Sequence, residues 1–228
     1  RQPFDLTNAQ QKVWKEISSD LMAEVPMRRL LQGDVGSGKT LVGALAALHA
    51  ESNGWQTALL CPTEILAEQH YNSFKDWFEK IGLNVKILTG STKAKERKVL
   101  ITDLASGEID ILIGTHAIFQ LGVEFKNLGL TVIDEQHRFG VHQRFSMLEK
   151  GGADNQSPHQ LIMTATPIPR TLAMTVYGSL ETSIIDELPP GRNPVKTSSR
   201  PDSFRDKVIK RVEEVCLTDK SCLLYTSD

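Results

Sequence analysis

The stretch Gly33-Asp34-Val35-Gly36-Ser37-Gly38-Lys39-Thr40 fits the pattern G-x-x-x-x-G-K-[ST] at every fixed position. Glycines let the backbone curl so that successive N–H groups converge, and a helix that follows aims its positive end at the same point. Such a cradle holds a phosphate chain. Lys39 would supply a point charge to the β- and γ-phosphates, and the Thr40 hydroxyl is a ligand for Mg2+. A glycine turn with only a structural role would require neither Lys39 nor Thr40.

A second candidate is Asp134-Glu135-Gln136-His137, directly after the apolar run Leu130-Thr131-Val132-Ile133. An acidic residue at the C-terminal end of a buried strand lies where open α/β sheets bind ligands. Asp134 is suited to hold the Mg2+, commonly through water, and Glu135 to orient and polarise the water that attacks the γ-phosphate. Alone, so short a motif reads equally as a solvated acidic turn; after a phosphate loop in the same sheet, the chemical reading gains weight. A third stretch, Met163-Thr164-Ala165-Thr166-Pro167, offers small hydroxyls that could link the acidic cluster to a neighbouring surface. A threonine-rich turn capping a helix that begins near Pro169 explains it equally well.

Positioning these groups requires strands that end in loops. The short apolar runs are Arg29-Leu30-Leu31, Thr57–Leu60, Val85–Leu88, Ile109–Ile113, Leu130–Ile133 and Leu161-Ile162-Met163. Near-continuous runs of this length suit strands covered on both faces. Amphipathic segments alternate with them: Thr7–Leu21, with Thr7 and Gln10 at capping-box spacing, Lys39–Glu51, Glu64–Lys80 before Gly82, and Lys93–Ala105 before Gly107. Alternation of this kind predicts an α/β fold whose mainly parallel sheet is flanked by helices and joined by right-handed crossovers. No internal repeat is present. Three prolines and a glycine in Leu188–Pro194 read as a linker at 189–194. Beyond it Phe204, Val208, Val212 and Val215 recur at helical spacing, as if a second unit begins at 195.

Lys+Arg 26 against Asp+Glu 28 in 228 residues gives a net charge of -2, so no global positive field draws in a polyanion. Contact with nucleic acid must then be local. The run Lys93, Lys95, Arg97, Lys98 reads as a solvated helix face, while His142, Arg144 and Arg170 stay open between surface and nucleic-acid path. Cys61, Cys216 and Cys222 have neither CxxC spacing nor a dense framework, in keeping with a reducing cytosol, and Cys61 reads as a small buried hydrophobe. No apolar stretch approaches the roughly 20 residues that span a bilayer, so no membrane partner is expected. Arg1 in place of Met suggests a cut within a longer protein.

Four stretches carry a resemblance: Leu31–Leu41, Cys61–His70 (CPTEILAEQH), Ile133–Gly140 (IDEQHRFG) and Met163–Ala173 (MTATPIPRTLA). Together with the tail Ile184–Arg192, their order resembles superfamily 2 helicases, and within these the RecG family of ATP-dependent DNA helicases. The transcription-repair coupling translocases share the TATPIPRTL region but usually lack the Ser37 form of the loop and the DEQH form of the acidic motif. The resemblance covers nearly the whole chain and implies a RecA-like P-loop domain at 1–188, with the truncated start of a second such domain at 195–228.

It also implies roles. Phe4 would stack on adenine and Gln10, beside Leu6 and Thr7, would read its edge; a helix start with a capping box describes the same residues and can hold at once. Pro62, Thr63, Glu64, Thr89, Gly90, Thr115 and His116 match contacts to one DNA strand, made to phosphates without reading sequence; without the resemblance each would be an ordinary turn or cap. Gln136, His137, Thr164, Ala165 and Thr166 would couple nucleotide state to DNA contact. The implied cofactors are ATP and Mg2+, and the implied partner is branched DNA, at stalled forks and Holliday junctions in recombination and repair. The implied location is the bacterial cytoplasm, at the nucleoid. The family's second RecA-like domain, which completes the ATP site with arginines, and its wedge domain are unmatched here. The chain alone is therefore expected to bind ATP with weak turnover or none. The segment Cys222–Asp228 departs from the family's continuation and matches one reading frame of a sequencing-library adapter, so it is expected to be non-native.

Overall fold

Runs of apolar residues become strands here because both faces of the sheet are covered. In the computed structural model the described residues are 6–134, 157–166, 180–187, 199 and 201–218. Along β1 (Arg28–Gly33), Leu31 enters the apolar layer beneath α1 (Asn8–Leu21), α2 (Lys39–Glu51) and α3 (Glu64–Phe78). Its neighbour Leu30 enters the opposite layer, which holds Leu100 and Leu104 of α4 (Ala94–Ser106). The same alternation splits Leu59 from Ala58 and Leu60 on β2 (Gln56–Leu60), and Val132 from Ile133 on β5 (Leu128–Asp134). Each such fully buried leucine or isoleucine contributes about 1.5–3 kcal/mol, which outweighs the polar propensities of their neighbours.

The sheet is completed by β3 (Val85–Leu88), β4 (Ile111–Gly114), β6 (His159–Thr164) and β7 (Glu181–Ile185). Its order is β3-β4-β2-β5-β6-β1-β7, and every pairing is parallel. The strands and helices expected from periodicity are present, with ends moved by up to two residues: the run from Ile109 enters the ladder only at Ile111. The helix expected over 64–80 ends at Phe78 and gives way to a 3-10 turn, Glu79–Ile81, closed by Gly82. Strand β7 has no counterpart among the sequence expectations, because Glu181-Thr182-Ser183 interrupts its apolar signal. As an edge strand it has only Ser183 and Ile185 buried.

Arg29, expected as part of an apolar run, is instead the centre of a buried polar network. Its Nε donates to Asp20 at 2.7 Å and its Nη1 to the Ser183 hydroxyl at 2.9 Å; Ser183 in turn donates to Glu16. One side chain thus ties α1, β1 and β7. Among the described glycines Gly114 lies tightest against its neighbour, since a Cβ there would collide with the Leu88 carbonyl.

At the opposite end of β6, His159 Nδ1 accepts from the Met27 N–H at 2.9 Å. Burial lowers its pKa, Asp20 opposes that and His49 adds to it. Because the folded protein disfavours the imidazolium, stability is expected to be complete above about pH 6.5 and to fall as pH drops below it. Urea unfolding between pH 7.5 and 5.5 checks this, and His159→Asn, which can still accept from Met27, should flatten the dependence.

The chain divides into two compact units, Arg1–Pro190 and Gly191–Asp228. In the second, the 3-10 turn Asp202–Phe204 leads into α5 (Arg205–Thr218). Phe204 and Val208, two of the residues at helical spacing, are both exposed, and Lys207 lies over the Phe204 ring. No helix among the described residues is long and apolar enough to cross a membrane. The linker expected at 189–194, the helix start near Pro169, the side chains His142, Arg144 and Arg170, and the segment 222–228 lie outside the described residues.

Candidate nucleotide-binding site

The parallel ladder brings three C-terminal strand ends side by side. Gln32 of β1 stands opposite Thr164 of β6, and Met163 of β6 opposite Asp134 of β5. With strands about 4.8 Å apart, the phosphate loop after β1 and the carboxylate ending β5 are roughly 10 Å from each other. The threonine turn after β6 lies between them. Residues separated in sequence by about a hundred positions thus share one sheet edge.

The loop has the geometry of a cradle. Gly36 and Gly38 adopt φ of +80° and +90°, left-handed values that a side chain would strain. Gly38 caps α2, so the helix starts at Lys39 with its free N–H groups facing the loop. A Cβ on Gly38 would strike the Gln10 amide. Lys39 Nζ donates to the carbonyls of Gly33 at 2.7 Å and Asp34 at 2.9 Å, which folds the ammonium into the loop's own mouth. Asp34 Oδ1 accepts from Val35 N–H at 2.7 Å. The Ser37 hydroxyl is buried without a hydrogen-bond partner, and Thr40, in the first turn of α2, is half-buried. Curled amides, an ammonium and an orphan hydroxyl at a helix start fit a triphosphate.

Gln10 makes this cradle part of α1. Thr7 caps the helix and Gln10 closes the capping box, with Gln10 N–H on Thr7 Oγ1 at 3.3 Å and Thr7 N–H on Gln10 Oε1 at 3.0 Å. The other end of the same amide donates to the Ser37 carbonyl at 2.8 Å. Here both ends of the Gln10 side chain are engaged by the protein. Leu6 is half-buried beside it, and Phe4, expected on adenine, lies outside the described residues. Gln10→Glu keeps the acceptor for Thr7 but cannot donate to Ser37. The lost bond is buried, and the new carboxylate faces the Ser37 carbonyl. A loss of about 1–3 kcal/mol of stability is expected, with a lower thermal midpoint and weaker nucleotide binding as the loop loosens. Titration with a fluorescent ATP analogue beside a melting curve measures both.

Sequence periodicity gave no sign of the partner that completes this helix start. Glu187, just beyond β7, accepts from the Ala9 N–H at 3.1 Å, and this bond and the Thr7 hydroxyl hold its carboxyl below its usual pKa. A carboxylate at a helix N-terminus also meets the favourable end of the dipole.

Asp134 is buried, at 9% exposure, and its Oδ2 lies 2.8 Å from Nε2 of His70 on α3. His70 closes the stretch Cys61–His70 but carried no expected role; its signal was there only as position. Cys61, also in that stretch, is fully buried, and burial together with the Asp134 charge pushes its thiol pKa up, so it is an inert packing residue. Thr164 and Thr166 join hydroxyls at 2.9 Å, and the Thr166 N–H donates back to Thr164 Oγ1; Ala165 lies between them. Glu135, Gln136 and His137 lie outside the described residues.

The other half of the same edge holds the residues expected against DNA. Thr63 caps α3 by accepting from Leu66 N–H, and Glu64 accepts from both the N–H and the hydroxyl of Ser91, at 3.1 and 2.9 Å. The loops after β2 and β3 are thereby clasped together. Thr63, Gly90 and His116 are exposed and Pro62 is half-buried, whereas Thr89 and Thr115 turn inward, the Thr115 hydroxyl without a partner.

A family model described as DEAD/DEAH box helicase matches residues 7–175. The chain is 58% identical over 217 residues to an ATP-dependent DNA helicase RecG of Escherichia coli O157:H7, covering 95% of this chain and 31% of the relative. A RecG of Haemophilus influenzae is 56% identical, with 96% and 32% covered, and one of Aquifex aeolicus 54% identical, with 93% and 26% covered. Among solved structures, RecG bound to a three-way DNA junction superimposes with a TM-score of 0.83 at 45% identity, over 95% of this chain and 28% of that one. The chain therefore spans about a third of the length of the curated relatives it matches.

Proposed function

The chain belongs to the DEAD/DEAH box helicase family, and from that premise we propose that it is the ATP-binding half of a RecG-type DNA helicase. The parent would couple ATP hydrolysis to translocation on branched DNA, at forks and Holliday junctions. The single observation that carries this reading is the shared sheet edge. It sets the cradle of Gly33–Thr40, the Thr164–Thr166 turn and Asp134 beside the clasped loops that carry Thr63 and Gly90. Nucleotide and DNA would then press on neighbouring loops of one rigid sheet.

In this reading the loop amides, Lys39 and Thr40 hold the triphosphate, and Thr40 and Asp134 hold Mg2+, which when bound neutralises charge developing on the phosphates. Glu135 orients the attacking water. Pro62, Thr63, Glu64, Thr89, Gly90, Thr115 and His116 form the path of one DNA strand, with contact by amides and exposed hydroxyls and the inward residues shaping the loops. Gln136, His137 and the Thr164–Thr166 turn relay between the two. An arginine from the parent's second motor domain would add roughly 10³–10⁵ in rate.

Titrating a fluorescent ATP analogue with Mg2+ into the 228-residue chain, then measuring phosphate release with forked DNA, tests the reading. Binding with little release is expected. Absence of binding overturns the nucleotide assignment, and release stimulated by DNA to the rate of an intact helicase overturns the incomplete site.

A further inference from the structure

The carboxylate that ends β5 does not stand by itself. We infer that His70 is a positioning residue for Asp134, a hydrogen-bond donor that fixes which carboxylate oxygen is offered to the metal. The inference rests on the reading of Asp134 as an Mg2+ ligand.

The Nε2–Oδ2 distance of 2.8 Å joins two buried side chains from different elements, sixty-four positions apart. An ionised carboxylate has no hydrogen to give, so Nε2 carries the proton and donates. The torsion that orients an aspartate's carboxyl plane is broad, and one fixed hydrogen bond removes that freedom. With Oδ2 taken, Oδ1 remains for a cation or its water. The His70 ring is in turn held: it meets Phe74, one turn further along α3, edge-on at 89° and 6.5 Å between centroids. Phe74 itself is fully buried.

The helix that carries His70 starts at the clasped loops, where Glu64 grips Ser91. His70 stands six residues on from Glu64, about 9 Å along the axis. One rigid helix therefore connects the loops expected against DNA with the carboxylate expected on the metal. Metal-binding carboxylates are commonly hydrogen-bonded by a second layer of residues, and removing such a partner costs roughly 10–100-fold in metal affinity or activity.

The test compares three variants of the 228-residue chain. His70→Gln can place an N–H donor where Nε2 stands; His70→Leu has no donor; His70→Phe has none but keeps a ring against Phe74. The readout is the Mg2+ concentration that half-saturates the metal-dependent gain in affinity for a fluorescent ATP analogue, beside the affinity in EDTA. His70→Leu and His70→Phe are expected to raise that concentration by roughly 10–100-fold with the EDTA affinity unmoved, and His70→Gln to restore it to within about threefold. Equal Mg2+ requirements in all three overturn the inference. So does a loss of EDTA affinity and of thermal midpoint in step across all three, unfolding included, which is the mark of packing alone. If the unsubstituted chain shows no Mg2+-dependent gain, the assignment of Asp134 to the metal fails instead.

Discussion

Replacing Lys39 with alanine is expected to weaken ATP binding by roughly 10- to 100-fold while the fold survives. The ammonium lies among backbone carbonyls of the loop, 2.7 Å from Gly33 O and 2.9 Å from Asp34 O. The bond to Asp34 is exposed and the one to Gly33 part-buried, so water takes over much of what the side chain leaves. The cost to stability is then about 1.5 kcal/mol, the low end for hydrogen bonds to a charged group. A triphosphate has no such substitute. Hydrogen bonds to charged partners contribute about 1.5–3 kcal/mol, which converts to the stated loss at 1.4 kcal/mol per tenfold. Calorimetric titration with ATP and Mg2+, beside a melting curve, separates the two effects. Retained affinity would show that the loop is not the nucleotide site.

The second large effect concerns the fold. Arg29→Met is expected to destabilise the chain by about 3 kcal/mol, the low end of the cost of breaking a buried pair. The low end applies because Asp20 and Glu16 keep 29% and 34% of their side-chain exposure and can partly rehydrate. Arg29 itself is only 9% exposed, so no water waits to replace its bonds to Asp20 and Ser183. At 2–4 °C per kcal/mol for a chain of this size, the thermal midpoint should fall by roughly 6–12 °C. Arg29→Lys keeps the charge but not the fork that reaches Asp20 and Ser183 in two directions, and should recover only part of the loss. A midpoint unchanged in Arg29→Met would mean that the network is idle. Because α1 carries Gln10 into the phosphate loop, loosening its far end at Asp20 also tests how independently the cradle is held.

Most of the fold was legible because its signals are local. Strands buried on both faces must be apolar at every position, as Ile111-Leu112-Ile113 and Leu130-Thr131-Val132-Ile133 nearly are. Helix ends announce themselves in Thr7 with Gln10, in Gly82 and in Gly107, since capping and left-handed closure depend on one or two neighbouring residues. Strand β7 escaped because an edge strand buries few side chains and its pattern fades into polarity. Arg29 misled because a long side chain inside an apolar run can be buried by partners that periodicity does not register.

For the site, the sequence by itself determined the composition of the cradle: where glycines must turn, which ammonium and hydroxyl follow, and that an acid ends a later strand. These are properties of contiguous residues, and contiguous residues can be read without a fold. Only the tertiary structure decided what lies beside what. Strand order β5-β6-β1 sets Asp134 two strands from the loop, Gln10 reaches Ser37 across 27 positions, Glu187 returns to cap Ala9, and His70 meets Asp134. Each is a contact between segments distant in the chain, fixed by the packing of helices on a parallel sheet, and no local spacing encodes it.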